Sequence, residues 1–181
     1  GGIDLNQSTG HRIEDNDIAQ IRDITVTNSP LNRFSGNTIK DSRRAFNFLF
    51  SHRSLVDRNH LEKNSTGIIA LNSNGLIIRN NRVMHAMDAS GAGIALKETS
   101  AALVENNEIV HCAHGIMADS PMDPINRIVF INNLIANSIT GIYFYGVKGA
   151  LLMQLGRNEE ARVAFDKAVA LANTAAEAAH I

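Results

Sequence analysis

The sequence is poor in the residue types that cross-link a chain or anchor it in a membrane. It contains one cysteine, Cys112, among 181 residues. A single cysteine excludes a disulfide framework and a multi-cysteine zinc site, although it leaves the redox compartment open. No run of 18 apolar residues occurs, and the first four residues lack the charged and apolar regions of a signal peptide. We therefore expect no membrane insertion.

An excess of charge of one sign is also missing. The chain has 17 basic and 18 acidic side chains, which gives a formal net charge of −1. Proteins that bind nucleic acids or anionic membranes carry a concentrated basic face. We expect neither as a partner.

An internal repeat dominates the first 146 residues. An asparagine followed two positions later by a branched aliphatic residue recurs at spacings of 21, 22, 22, 26 and 26 residues. The six asparagines are Asn16, Asn37, Asn59, Asn81, Asn107 and Asn133. The segments between turns are too short for helices and alternate with period two, as strands do. The pattern predicts a mainly β chain, a right-handed parallel β-helix of nearly seven coils over residues 1–146. Leucine-rich repeats overlap in length, but their Leu-x-x-Leu-x-Leu run is absent.

The polar columns of this repeat have a structural explanation. An inward asparagine at a turn can bond backbone groups and the asparagine of the next coil, which satisfies polar atoms that burial would leave unpaired. A hydroxyl column recurs in the same way at Ser8, Ser29, Ser51, Ser73 and Thr99. We interpret both columns as ladders rather than as ligand sites.

The last 35 residues follow different rules. Residues 147–181 hold 10 alanines but only 2 asparagines and 1 isoleucine, and their apolar residues have helical spacing. The string at 152–161 resembles one tetratricopeptide-type hairpin and the helical tails of some extracytoplasmic sigma factors. We predict an α-helical hairpin over 147–181. A cap over the end of the solenoid core is favoured over a peptide-binding module, because one such repeat lacks the neighbours it needs.

Four stretches resemble the NosD family of periplasmic β-helix proteins, which assist copper-site assembly in nitrous oxide reductase. They lie at 48–56, 93–99, 104–109 and 119–124, and the Ser-Pro-x-Asp-Pro loop at 120–124 is the most specific. The resemblance covers about residues 1–146. It implies a non-enzymatic role, a periplasmic location and copper as the cofactor. It also implies a copper ABC transporter and the nitrous oxide reductase maturation machinery as partners.

Two clusters contain the soft ligands that copper favours. His85 is four residues after Asn81, and His111 is four residues after Asn107, so they occupy equivalent positions in successive coils. Stacked coils would place the two imidazoles within roughly 5–7 Å. The predicted metal ligands are His85, His111, Met84, Met87, Cys112 and His114. The other interpretation is that all six fill turns and core, as methionine and cysteine often do.

Two further classes of function stay open. A polysaccharide lyase or epimerase acting on uronates needs a general base and a group that neutralises the carboxylate. His60 and Arg82 share an outward column and fit those two roles. However, Asp123-Pro124 is not followed by the histidine expected of alginate epimerases. The third class is an inactive scaffold or fusion fragment.

Overall fold

A computed structural model describes residues 2–89, 91–119 and 125–145, together with Glu159 and Arg162. Within these ranges the chain forms 19 short β-strands. The predicted hairpin over 147–181 lies outside the described residues, apart from Glu159 and Arg162, whose side chains form an ion pair (Nη2–Oε2 3.2 Å). Among the residues described, no helix is long and apolar enough to cross a membrane.

Every third strand belongs to the same sheet. Sheet A contains β1 (Asp4–Asn6), β4 (Asp23–Thr27), β7 (Arg44–Leu49), β10 (Thr66–Leu71), β13 (Ala92–Lys97), β16 (His114–Asp119) and β19 (Thr140–Tyr145). Sheet B contains β2 (Arg12–Glu14), β5 (Arg33–Ser35), β8 (Leu55–Asp57), β11 (Ile77–Arg79), β14 (Leu103–Glu105) and β17 (Val129–Ile131). Sheet C contains β3 (Asp17–Ala19), β6 (Thr38–Lys40), β9 (His60–Glu62), β12 (Arg82–Met84), β15 (Glu108–Val110) and β18 (Leu134–Ala136).

Neighbouring strands in all three sheets are parallel, and each coil contributes one strand to each sheet. Six coils with a strand in each sheet and the first strand of a seventh coil are described, numbered here coil 1 to coil 7. Ile68 pairs with Ile94, and Val83 pairs with Ile109, so the repeat aligned by sequence is the register of the sheets. The predicted parallel β-helix is thereby confirmed as a parallel β-solenoid.

The core consists of apolar columns that point inward from all three sheets. Period-two alternation sends these residues inside, where most have no exposed surface. The widest point is an aromatic cluster in which Phe34 packs edge-to-face on Phe46 and on Phe48, with both centroid distances 5.3 Å. Edge-to-face packing is the favoured geometry for aromatic pairs, and it joins coils 2 and 3.

Each coil turns its corners through residues with left-handed backbone geometry. In coil 4 these are Asn72, Gly75, Asn80 and His85, with φ of 48°, 70°, 54° and 59°. For a residue with a Cβ, this conformation costs roughly 1–2 kcal/mol. The N–H groups of corner residues donate to carbonyls of the next coil, as from His85 to Val110 (3.1 Å). At these corners the chain passes from one sheet to the next. No residue pattern in the sequence predicted their positions.

The asparagine column forms a continuous ladder directly after one set of corners. The amide of Asn59 illustrates it: Nδ2 donates to Oδ1 of Asn81 (2.9 Å) and to the carbonyl of Phe34 (3.0 Å). Its Oδ1 accepts from both the N–H and the Nδ2 of Asn37 (2.9 Å each). The same rungs run from Asn16 to Asn133. All the hydrogen-bonding capacity of the buried amide is therefore filled, as the sequence predicted.

The hydroxyl column forms a second ladder at another set of corners. The N–H of Ser29 donates to Oγ of Ser51 (3.0 Å), and the N–H of Ser51 donates to Oγ of Ser73 (2.9 Å). The Oγ of Ser51 donates in turn to the carbonyl of Leu49 (3.0 Å). Both ladders place the acceptor for one coil on a side chain of the next.

We expect Asn81→Ala to destabilise the fold by about 3 kcal/mol, because it leaves several buried donors and acceptors unpaired. The matched control is Asn16→Ala at the exposed first rung, where the loss should be about 1 kcal/mol. Urea denaturation of the two variants measures the difference. Equal losses would show that the interior rungs contribute no more than the exposed one.

Candidate functional site

The two aligned histidines lie at the corner that follows sheet C. His85 follows β12 and His111 follows β15, both with left-handed φ (59° and 54°). Their rings stack with centroids 5.1 Å apart and planes 4° from parallel. Both side chains are exposed. The structure thus brings the pair together at the separation that the register predicts.

The geometry of the stack determines what it can do with a metal ion. Imidazole coordinates through a lone pair in the ring plane, so parallel rings direct their lone pairs along parallel lines. Metal–nitrogen bonds of about 2.0–2.1 Å require the two nitrogens of a shared ion to be about 4 Å apart or closer. Rings whose centroids are 5.1 Å apart reach this separation by rotating about their side-chain bonds. Exposure leaves that rotation free.

The two methionines lie at the same corner as His85. Met84 is the last residue of β12 and is half-buried, whereas Met87 lies in the following turn with 53% of its surface exposed. A thioether is a soft ligand suited to Cu(I). Both methionines flank His85 in the chain, and Met87 has the freer side chain of the two.

Cys112 lies inside the solenoid, although it is adjacent to His111 in sequence. Its side chain is fully buried and belongs to the apolar core. Its thiol donates to the carbonyl of Val110 (3.6 Å), and its own N–H donates to Oγ of Ser138 (3.3 Å). In the same column, the N–H of Ser42 donates to Oδ1 of Asn64 (3.0 Å). The equivalent residues of other coils are Ile21, Ser42, Asn64, Ala86 and Ser138. Cys112 is thus one rung of a third ladder. Burial raises the pKa of the Cys112 thiol, against a smaller opposite effect of the Ala86 N–H, which disfavours the thiolate that a metal needs.

His114 lies past the corner, as the first residue of β16 in sheet A. Its N–H donates to the carbonyl of Gly91 (3.0 Å), and its side chain is half-buried. Over 2–89, 91–119 and 125–145, no three His, Cys, Asp or Glu side chains are grouped to hold a metal ion. Of the six predicted metal ligands, the candidates that stay are therefore the histidine pair and the two methionines that flank His85 in the chain.

The alternative site on sheet C has its groups engaged with one another. His60 and Arg82 pair in register on β9 and β12, as the column predicts. However, Nε of Arg82 lies 3.2 Å from the Glu108 carboxylate, and Nε2 of His60 lies 3.6 Å from Glu62. To act as a general base and as the cation that neutralises a uronate, His60 and Arg82 would first have to break these ion pairs. The arrangement fits a solvated charged face better than a catalytic pair.

The stacked coils and their three all-parallel sheets define a parallel β-solenoid. The family model described as "Periplasmic copper-binding protein (NosD)" matches residues 1–154. The match takes in most of the chain, which therefore belongs to the NosD family.

One curated relative and the solved structures complete the comparison. An uncharacterized protein of Rhizobium meliloti (strain 1021) is 62% identical over 39 residues, which make up 22% of this chain and 9% of that protein. The matched stretch is thus a small part of that relative. No solved structure matches the chain.

We expect Cys112→Ser to preserve stability, because serine occupies the same column in coils 2 and 6. Cys112→Val removes the thiol donor to the Val110 carbonyl and puts a larger, branched side chain at a fully buried position, and it should cost about 1–2 kcal/mol. Chemical denaturation measures both changes. Labelling of native protein with iodoacetamide should be slow until the chain unfolds, and rapid native labelling would contradict the buried ladder role.

Proposed function

We propose that this chain is a non-enzymatic periplasmic copper-handling protein that binds copper through His85 and His111. The observation that supports the proposal is the stacked pair of exposed imidazoles in a chain of the NosD family. Imidazole and thioether ligands suit both copper oxidation states better than they suit Mg²⁺ or Ca²⁺. Copper is here the cargo of the protein rather than a resident structural ion.

The exposure of the site supports transfer of the ion rather than its storage. Two or three ligands at an open corner leave coordination positions free for an acceptor protein, whereas a structural metal site is closed by four. The rigid solenoid holds the corner at a fixed place, and only side chains must move. We therefore propose delivery of copper for copper-site assembly in nitrous oxide reductase, together with a copper ABC transporter.

The segment 147–181 keeps its predicted role as a helical cap in this proposal. The last described coils expose large apolar residues, including Leu134 (58%), Ile139 (63%) and Ile142 (45%). A solenoid needs its terminal cross-section covered, because the end presents apolar core and unpaired strand groups.

Replacing both histidines tests the copper site. The double variant His85→Asn/His111→Asn keeps residues that tolerate left-handed geometry, and Asn137 already occupies the equivalent position in coil 6. Cu(I) should raise the melting temperature of the unaltered protein, because the two histidines are held side by side only in the folded state, and this shift should vanish in the double variant. Competition with a coloured Cu(I) chelator measures the affinity directly.

The control is His11→Asn/His60→Asn, which removes two histidines that are not aligned with each other. It should retain the full Cu(I) shift. If both double variants bind Cu(I) as well as the unaltered chain, the assignment to His85 and His111 is wrong. If the unaltered chain does not bind Cu(I), the proposed copper role of this chain is wrong.

A further inference from the structure

A groove of about 570 Å³ runs along a different corner of the solenoid, the one that leads into sheet B. Its lining residues are Pro30, Leu31, His52, Arg53, Asn74, Gly75, Ala101 and Asn126. They come from coils 2 to 6, so the groove extends over four coil spacings, or about 19 Å. Its volume is typical of pockets for small organic ligands, and its length suits an extended one.

The charge of the lining is positive. Arg53 is exposed, and no carboxylate of the described residues pairs with it. Among the described residues, the lining contains no aspartate or glutamate. A Cβ at Gly75 would lie 3.2 Å from Cγ of Arg53, so the glycine, at φ 70°, leaves room for the arginine stem. An unpaired guanidinium on a surface without competing carboxylates favours an anionic group, and a carboxylate matches its donor geometry.

Two neighbours of Arg53 offer further donors. Nδ1 of His52 accepts the N–H of Asn74 (2.9 Å), so the proton of the neutral ring lies on Nε2. Oδ1 of Asn74 accepts the N–H of Ser100 (2.7 Å), which leaves its Nδ2 hydrogens for a ligand. The histidine and the amide are thus held in fixed orientations by the ladder bonds of the corner. Preorganised donors of this kind suit hydroxyl and carboxylate oxygens.

The backbone of the same corner argues against a peptide that adds a further strand. The N–H groups of Leu31, Arg53 and Gly75 donate to carbonyls of the next coil at 3.0, 2.8 and 2.9 Å. A peptide of that kind binds through main-chain hydrogen bonds, and these groups are already engaged. Apolar surface is present instead, because Leu31 in the groove lining is 59% exposed. The C–H face of a sugar ring packs on such surface.

We propose that this groove binds an acidic oligosaccharide, with a uronate carboxylate on Arg53 and sugar hydroxyls on His52 and Asn74. The proposal does not depend on copper, because the groove and the histidine pair lie at different corners of the coil. It assigns binding and no cleavage of the sugar.

The test is calorimetric titration of the full chain with tri-galacturonate in buffer that contains a metal chelator. The fully methyl-esterified trimer, which keeps the sugar rings but lacks the charge, serves as the ligand control. Inorganic phosphate tests whether any anion suffices. We expect tri-galacturonate to bind, and we expect the ester to bind at least about tenfold more weakly, since it lacks the charged oxygens that would accept from the guanidinium of Arg53.

Arg53→Gln should weaken tri-galacturonate binding at least about tenfold. Arg22→Gln is the matched control, because Arg22 is an exposed arginine outside the groove lining, and it should leave binding unchanged. Equal weakening in both variants would assign the effect to net charge and overturn the proposal. Undetectable binding of tri-galacturonate, or phosphate binding as tight as that of the trimer, would overturn it as well.

Discussion

The fold depends on hydrogen bonds that close each corner onto the next coil. A left-handed corner with a Cβ costs roughly 1–2 kcal/mol, and each described coil has several. The N–H of the corner residue is taken by a carbonyl of the next coil. At ladder positions the following N–H is taken by an inward side chain, as between Asn59 and Asn81. Both acceptors belong to a neighbour, so one coil cannot hold its own corners. Stability is therefore a property of adjacent pairs, as in other solenoids.

The same corner geometry decides which residues are available for chemistry. At the corner after sheet C, His111 stands on the left-handed residue and is exposed, while Cys112 follows it and is completely buried. Two soft ligands adjacent in the chain thus have opposite environments. The imidazole can meet an ion from solvent, whereas the thiol donates to the carbonyl of Val110 inside the solenoid and the N–H of Cys112 donates to Ser138. A metal site on this fold is built from equivalent residues of successive coils rather than from neighbours in sequence.

The sequence predicted the columns whose residue type repeats, and it missed those whose type does not. Asparagine recurs at every rung of its ladder because its amide both donates and accepts across the coil spacing, as between Asn37, Asn59 and Asn81. The left-handed corners hold Gln20, Asp41, Lys63, His85 and His111 in one column. Aspartate and histidine favour that geometry, but glutamine and lysine do not, so no single residue type marks the column. The hydrogen bonds between successive coils impose the left-handed geometry. The parallel register could be inferred, and so could the proximity of the two histidines. The burial of Cys112 could not, because it depends on where in the repeat each corner falls.

The difference between inward ladder residues and corner side chains also explains how ligand-binding residues can vary while the fold stays the same. An inward rung exchanges hydrogen bonds with two coils, so a change there leaves several groups unpaired. At a corner the frame depends mainly on the backbone N–H, so the residue type varies, as from Phe50 to Glu98 at the corner after sheet A. Some corner side chains bond each other, as Nδ2 of Asn72 does to Glu98 (2.8 Å). Others are exposed, as Arg53 is. Two ligand-binding edges on one short solenoid are therefore physically compatible: imidazoles stack along one corner, and Arg53 with its oriented neighbours lines another. At each of these corners the site is formed by residues of successive coils, which follow one another along the solenoid axis at intervals of one coil.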